Sequence, residues 1–119
     1  MVVVLAGSCL PDHELKMETH YVELGHSAQE VRVKANDELY DATFDYPRSD
    51  SEVGEWYYKD SCMVNTGDWF KLIVDTRCPR YLTVVVDEND WGRDRTILVW
   101  ANTFDEKRDS VRVVQKAKP

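Results

Sequence analysis

The sequence predicts an all-β sandwich, and three observations support this. Apolar side chains alternate with polar ones at a period of two, turn-forming residues separate the alternating runs, and no stretch keeps a helical period. Because successive side chains of a strand point to opposite faces, this alternation is typical of a sheet with one buried face. Short strands between frequent turns favour two packed sheets, which we expect to be antiparallel and to contain about seven to eight strands.

The alternating runs follow one another from residue 21 to the C-terminus. They lie at 31–35, 40–46, 82–86, 97–101 and 111–113, and the run at 82–86 is apolar enough for a central strand. Segments rich in Gly, Pro, Asn, Asp and Ser separate them, at 25–27, 47–50, 65–68, 78–79 and 89–92. Residues 49–54 are the most loop-like internal segment.

Length and charge limit the function classes. A chain of 119 residues is about one domain, and its net charge of −7 opposes binding to nucleic acid or to an anionic membrane surface. The cysteines, Cys9, Cys62 and Cys78, form no CxxC pair, so no structural zinc site is predicted. We expect no cofactor and no metal.

The N-terminal segment, residues 1–19, is predicted to lie outside the domain. Its apolar start ends in Leu-Ala-Gly-Ser-Cys at 5–9, which is similar to a bacterial lipobox, where the cysteine is lipidated. Leu5 stands four places before Cys9 instead of three, and no basic residues precede it. The alternative is an edge strand at 1–5 and an ordinary thiol at Cys9. The polar stretch at 11–19 is interpreted as a tether, which predicts an extracytoplasmic lipoprotein anchored through Cys9.

Three polar residues near the C-terminus are predicted to be structural pins. Asn89 ends a strand and can bond its own backbone two residues on. Arg95 opens the next strand, and its fork of donors suits the carbonyls of the loop or Glu88. Gln115 can satisfy backbone groups at the end of the last strand.

These residues also carry a resemblance. A strand ending in Glu88-Asn89, a turn, Arg95 and a final Val113-Val114-Gln115 resemble the BACON domain, an immunoglobulin-like sandwich of secreted and surface proteins in Bacteroidetes. The resemblance covers about residues 21–116 and is specific over 81–115. It implies a domain at 20–119 and carbohydrate binding, which is itself a proposal for that family.

Exposed aromatic residues are the candidate ligand contacts. Trp91 lies in a turn between two predicted strands, where burial is difficult to arrange, although it could instead fold back over the end of the sandwich. Trp56 and Tyr58 share one face of a strand and could form a platform on which a sugar ring stacks. We therefore expect ligand-binding roles for Trp91, Trp56 and Tyr58.

No catalytic constellation is evident. Asp87, Glu88 and Asp90 are near neighbours, but adjacent strand side chains point to opposite faces, whereas a glycosidase needs two carboxyls across one bond. The histidines at 13, 20 and 26 do not converge on one face. Cys62 and Cys78 could form a disulfide or remain free thiols. We expect no enzymatic activity.

The functional prediction is a cell-surface lipoprotein module that binds a glycan, either a polysaccharide or mucin. The alternative is a spacer, adhesion or protein-interaction module that binds no sugar. The expected partners are a glycan or a surface protein, with membrane contact through the lipid anchor only.

Overall fold

The computed structural model describes residues 14–45 and 55–119, and these residues form β-strands without a helix. No helical segment in these ranges is therefore long and apolar enough to cross a membrane. The strands are β1 (Tyr21–Leu24), β2 (Gln29–Lys34), β3 (Asp41–Asp45), β4 (Trp56–Lys59), β5 (Cys62–Thr66), β6 (Phe70–Asp75), β7 (Tyr81–Val86), β8 (Arg95–Asn102) and β9 (Arg108–Gln115).

The strands form two sheets, with the orders β1-β9-β8-β3 and β2-β7-β6-β5-β4. The sets β2-β7-β6 and β3-β8-β9 correspond to the B-E-D and C-F-G strands of an immunoglobulin-like sandwich. The predicted fold is confirmed, but the described residues contain nine strands instead of about seven to eight. The β4–β5 hairpin was not expected because its turn, Asp60-Ser61, contains no Gly or Asn, yet both residues adopt positive φ, at 51° and 69°.

One pair of strands departs from the expected antiparallel arrangement. β1 runs parallel to β9, with Tyr21 opposite Arg112 and Leu24 opposite Gln115. The next strand, β2, belongs to the other sheet, so no tight hairpin forces β1 to run antiparallel to its neighbour.

The core lies between the two sheets and follows the predicted alternation. In β7 and β8 every second side chain is buried, as the period of two requires. The core side chains with no exposed surface are Val74, Leu82, Val84, Ile97, Val99, Ala101, Val111 and Val113.

The segment before β1 is part of the sandwich, so the predicted tether is wrong for residues 14–19. Leu15 and Met17 are buried in the core, and Met17 forms an antiparallel bridge with Ala35. Asn36 Oδ1 accepts a hydrogen bond from the Lys16 backbone N–H at 2.8 Å. The backbone N–H of Asn36 donates to the Lys16 carbonyl at 3.1 Å. Two apolar side chains in a polar stretch show no periodicity, which is why the sequence pattern did not reveal this packing. Cys9 and the apolar run at 1–5 lie outside the described residues.

Candidate functional site

The connection between β7 and β8 is organised by Asn89, which is fully buried. Its Oδ1 accepts the N–H of Trp91 at 3.0 Å, which is the predicted bond two residues on. Its Nδ2 donates to the carbonyls of Arg93 and Lys116, at 3.0 and 3.1 Å. The amide therefore ties this loop to the residue that follows β9, as expected of a structural pin.

Arg95 and Gln115 complete the same network. Nη2 of Arg95 donates to the carbonyls of Asp87 and Glu88, at 3.0 and 3.1 Å. Nε2 of Gln115 donates to the same Asp87 carbonyl at 2.9 Å. Both side chains are buried, and both donate hydrogen bonds to loop carbonyls. Their predicted structural roles are confirmed.

Trp91 packs against this network. Its ring centroid lies 6.2 Å from that of the buried Trp69, and the guanidinium groups of Arg95 and Arg93 lie 4.9 and 5.0 Å from its own centroid. The side chain is 40% exposed. It thus folds back over the end of the sandwich while keeping part of its ring in solvent, and its contact with a ligand stays a prediction.

Trp56 and Tyr58 lie on the edge strand β4 and are 50% and 59% exposed. Opposite them on β5 stand Asn65 and Met63, and directly opposed side chains share one face of a sheet. That face is the one toward the core, because Met63 is buried there and Asn65 Nδ2 donates to the Ala42 carbonyl of the facing sheet at 3.1 Å. Since β3 lies over β5 and β6, β4 extends past it and its aromatic side chains remain exposed.

A second aromatic pair lies at the opposite end of the sandwich from Trp91. Tyr40 precedes β3 and Phe104 lies in the β8–β9 turn, and their centroids are 5.5 Å apart in an edge-on geometry. The two side chains are 45% and 82% exposed. The sequence pattern did not reveal this pair, although Phe104, like Trp91, is an aromatic residue in a polar turn.

The turn that carries Phe104 is held by its own hydrogen bonds. The Thr103 N–H donates to the Lys107 carbonyl at 2.9 Å, and the Lys107 N–H donates to Thr103 Oγ1 at the same distance. Glu106 adopts a φ of 72°, which closes the turn. These bonds fix the backbone, so Phe104 is exposed on a defined scaffold.

Polar side chains line the depression beside this pair, which has a volume of about 550 Å³. Arg108 Nε donates to Asn102 Oδ1 at 3.2 Å, and Asn102 Nδ2 donates to Asp41 Oδ1 at 2.9 Å. On the other side of the rings lies a smaller depression of about 240 Å³. We call Tyr40, Phe104, Asp41, Asn102 and Arg108 the Tyr40–Phe104 surface. It can offer apolar ring area, hydrogen-bond acceptors and a cation to one ligand.

The two described cysteines are free thiols, Cys62 half-buried and Cys78 exposed. Burial, together with the nearby Asp75, raises the pKa of the Cys62 thiol. Across residues 14–45 and 55–119, no group of three or more His, Cys, Asp or Glu side chains could hold a metal ion.

Comparison with known proteins identifies the fold. No protein-family model and no curated protein matches the chain. Among solved structures, 88% of the chain superposes on 19% of a Bacteroides ovatus GH5 xyloglucanase determined with a XXXG heptasaccharide, with 15% identity and a TM-score of 0.52. A Caenorhabditis elegans protein, the MSP family member WR4, aligns over 89% of this chain and all of its own, with 8% identity and a TM-score of 0.38. The likeness to the xyloglucanase is one of fold, and it spans about a fifth of that enzyme.

Proposed function

We propose that this chain is a non-catalytic module that binds a glycan, and that the Tyr40–Phe104 surface makes the contact. The observation that carries the proposal is the 82% exposure of Phe104 on a hydrogen-bonded turn, beside a depression lined by polar side chains. An exposed phenyl ring on a fixed backbone has no role in the core of the fold. Together with the exposed ring of Tyr40 it forms an aromatic patch, and exposed apolar patches rimmed by polar residues mark binding sites.

The chemistry of the surface suits a sugar. Aromatic faces bind the C–H faces of pyranose rings, and nearby carboxylate, amide and guanidinium groups exchange hydrogen bonds with the hydroxyls. Asp41, Asn102 and Arg108 supply these three groups. Because they already bond one another, they are oriented before a ligand arrives.

Two further points support a carbohydrate context. The chain's C-terminal motifs resemble those of a family named for carbohydrate binding, and part of a xyloglucanase has the same fold. Xyloglucan oligosaccharides are therefore a sensible first probe, followed by host mucin glycans and other plant polysaccharides.

The cellular setting is part of the proposal. A lipid on Cys9 would hold the domain at an extracytoplasmic membrane surface, which is where a glycan-binding module meets polysaccharides. Cys9→Ala should abolish incorporation of radiolabelled palmitate. Labelling that survives this substitution would exclude a lipid anchor at Cys9.

Isothermal titration calorimetry against this panel of glycans tests the binding. We expect Phe104→Ala and Tyr40→Ala each to weaken binding by about tenfold, the loss of about 1.4 kcal/mol of contact energy. Tyr21→Ala is the matched control, because Tyr21 is a similarly exposed aromatic residue on the edge strand β1, opposite Arg112 in the middle of β9. If no glycan in the panel binds the folded protein, the alternative of a spacer or protein-interaction module replaces this proposal.

Further variants locate the site. The sequence predicts glycan contacts at Trp91, Trp56 and Tyr58, so each is replaced by alanine in the same titration. Loss of binding in Trp91→Ala with retention in Phe104→Ala would move the site to the other end of the sandwich.

A further inference from the structure

One edge of β4 faces away from β5, and the register of the β4–β5 hairpin shows which backbone groups of the described strand lie along it. The Glu55 carbonyl accepts the Thr66 N–H at 2.8 Å, so these opposed residues form a hydrogen-bonded pair. Because hydrogen-bonded and non-hydrogen-bonded pairs alternate in an antiparallel ladder, Tyr57 and Lys59 direct their peptide groups toward β5. Trp56 and Tyr58 direct theirs away from it. Within the described ranges, β4 ends its sheet and no strand pairs along this edge.

The residues of this edge would favour addition of another strand. Sheet edges are commonly protected by proline, by a bulge or by an inward-pointing charge. Residues 56–59 instead read Trp-Tyr-Tyr-Lys and pair regularly with β5. The only charge on the strand, Lys59, lies at its last position, beside the hairpin turn.

We propose that a second copy of this chain pairs with β4, antiparallel to it, about a two-fold axis that passes between Tyr57 and Tyr57 of the partner subunit. In this register Trp56 stands opposite Tyr58 of the partner subunit, and their outward peptide groups exchange hydrogen bonds. The symmetry repeats the pair, so four backbone hydrogen bonds join the two sheets into one of ten strands.

Charge complementarity argues for this partner and this register. Glu55 and Lys59 lie two residues on either side of Tyr57, so the two-fold axis places Glu55 opposite Lys59 of the partner subunit. Both side chains are exposed in the single chain. Opposite charges on directly opposed residues stabilise a sheet, whereas like charges there destabilise it. The chain carries a net charge of −7, so two copies repel overall and a local attraction of this kind is needed to align them.

The same axis accounts for the exposed aromatic side chains of β4. A two-fold axis perpendicular to the sheet keeps the core-facing sides of both copies on one side. The rings of Trp56 and Tyr58 then adjoin those of the partner subunit, between the two β3 edges. Aromatic cross-strand pairs add to the stability of such a ladder. This inference is independent of the proposed glycan contact at the Tyr40–Phe104 surface.

Sedimentation velocity over protein concentrations of about 1 µM to 1 mM tests the dimer. A dissociation constant of about 1 mM corresponds to a binding free energy of about 4 kcal/mol, which is the weakest association that this range detects. We expect Glu55→Lys and Lys59→Glu each to raise the dimer dissociation constant by about tenfold, because each places like charges opposite one another twice. The double variant Glu55→Lys/Lys59→Glu should regain the wild-type constant. An equimolar mixture of the two single variants should form a heterodimer, because every opposed pair is then of opposite charge.

Tyr58→Pro tests the backbone bonds separately. Its N–H points outward, so proline removes an intermolecular donor and leaves the β4–β5 ladder intact. We expect a folded monomer by circular dichroism and sedimentation. The charge variants remain decisive if Tyr58→Pro fails to fold.

A wild-type protein that stays monomeric up to about 1 mM overturns the proposal. A dimer that is indifferent to the single charge reversals, or a double variant that stays as weak as the singles, also overturns it.

Discussion

Nε of Arg95 donates to Oε1 of Gln115 at 2.9 Å, and these two buried residues stand directly opposite each other in the β8–β9 ladder. The bond joins the first residue of β8 to the last residue of β9. Because both side chains also bind loop carbonyls, one network closes this end of the sandwich.

Replacing Arg95 by lysine should destabilise the fold. Arg95 bonds Gln115 from Nε and the two carbonyls from Nη2, whereas lysine carries all its donors on a single nitrogen and cannot occupy both positions. We expect the free energy of unfolding to fall by about 2–3 kcal/mol, measured by urea denaturation. Arg93→Lys is the control, since Arg93 is exposed on the same loop. Equal stability of the two variants would contradict the importance of the network.

Leu15→Ala and Met17→Ala should each lower the free energy of unfolding by about 2–5 kcal/mol, because both side chains are buried in the core. Lys16→Ala lies between them on the exposed side and should change stability by less than about 0.5 kcal/mol. Thermal or urea unfolding of the three variants measures this contrast. Wild-type stability in all three would restore the interpretation of this segment as a tether.

Gly67→Ala should disturb the packing of Phe70. A Cβ atom at residue 67 would overlap the ring of Phe70, which is buried against Trp69 and Phe44. Because the ring is buried, it would have to shift against these two neighbours, and we expect the free energy of unfolding to fall by about 1–3 kcal/mol. Gly25→Ala is the matched control, because its nearest neighbour is the flexible end of Gln29 at 4.0 Å. Thermal melts of the two variants should differ clearly, and identical melting temperatures would show that the ring can relax.

Ionised Asp75 should contribute to the free energy of unfolding, and this contribution should be lost at low pH. Hydrogen bonds from the Arg77 side chain and backbone lower the pKa of Asp75 from 3.8 to about 2. A folded-state pKa below the unfolded value means that this contribution is complete above about pH 4 and is lost as the pH falls toward 2. Arg77 is exposed and Asp75 partly exposed, so solvent screens the pair and the effect on stability is small.

Thermal melts of Asp75→Asn across pH 2 to 7 test this expectation. The variant should melt below the wild type at neutral pH, and the gap should close between about pH 4 and 2. Asp90→Asn, at an exposed loop carboxylate, provides the control. A gap that is constant over the whole range would show that ionisation of Asp75 does not contribute.

Local patterns were sufficient for much of the fold. The alternation at Leu82, Val84 and Val86 predicted their burial, because a period of two directs every second side chain to the same face. The turn at Asn89 could also be predicted, since its amide bonds a backbone N–H only two residues away. These features depend on contacts within a few residues.

What the sequence alone determined is therefore the all-β class, the inward faces of β7, β8 and β9, and the pins at Asn89, Arg95 and Gln115. The tertiary structure decided which distant segments meet. Leu15 and Met17 are buried only because Ala35 offers a bridge, and Phe104 meets Tyr40 only because β3 pairs with β8. Trp56 and Tyr58 alternate like core residues, yet they are exposed because β3 does not extend over β4. Periodicity states which side chains share a face, whereas the packing of the two sheets determines whether that face is covered.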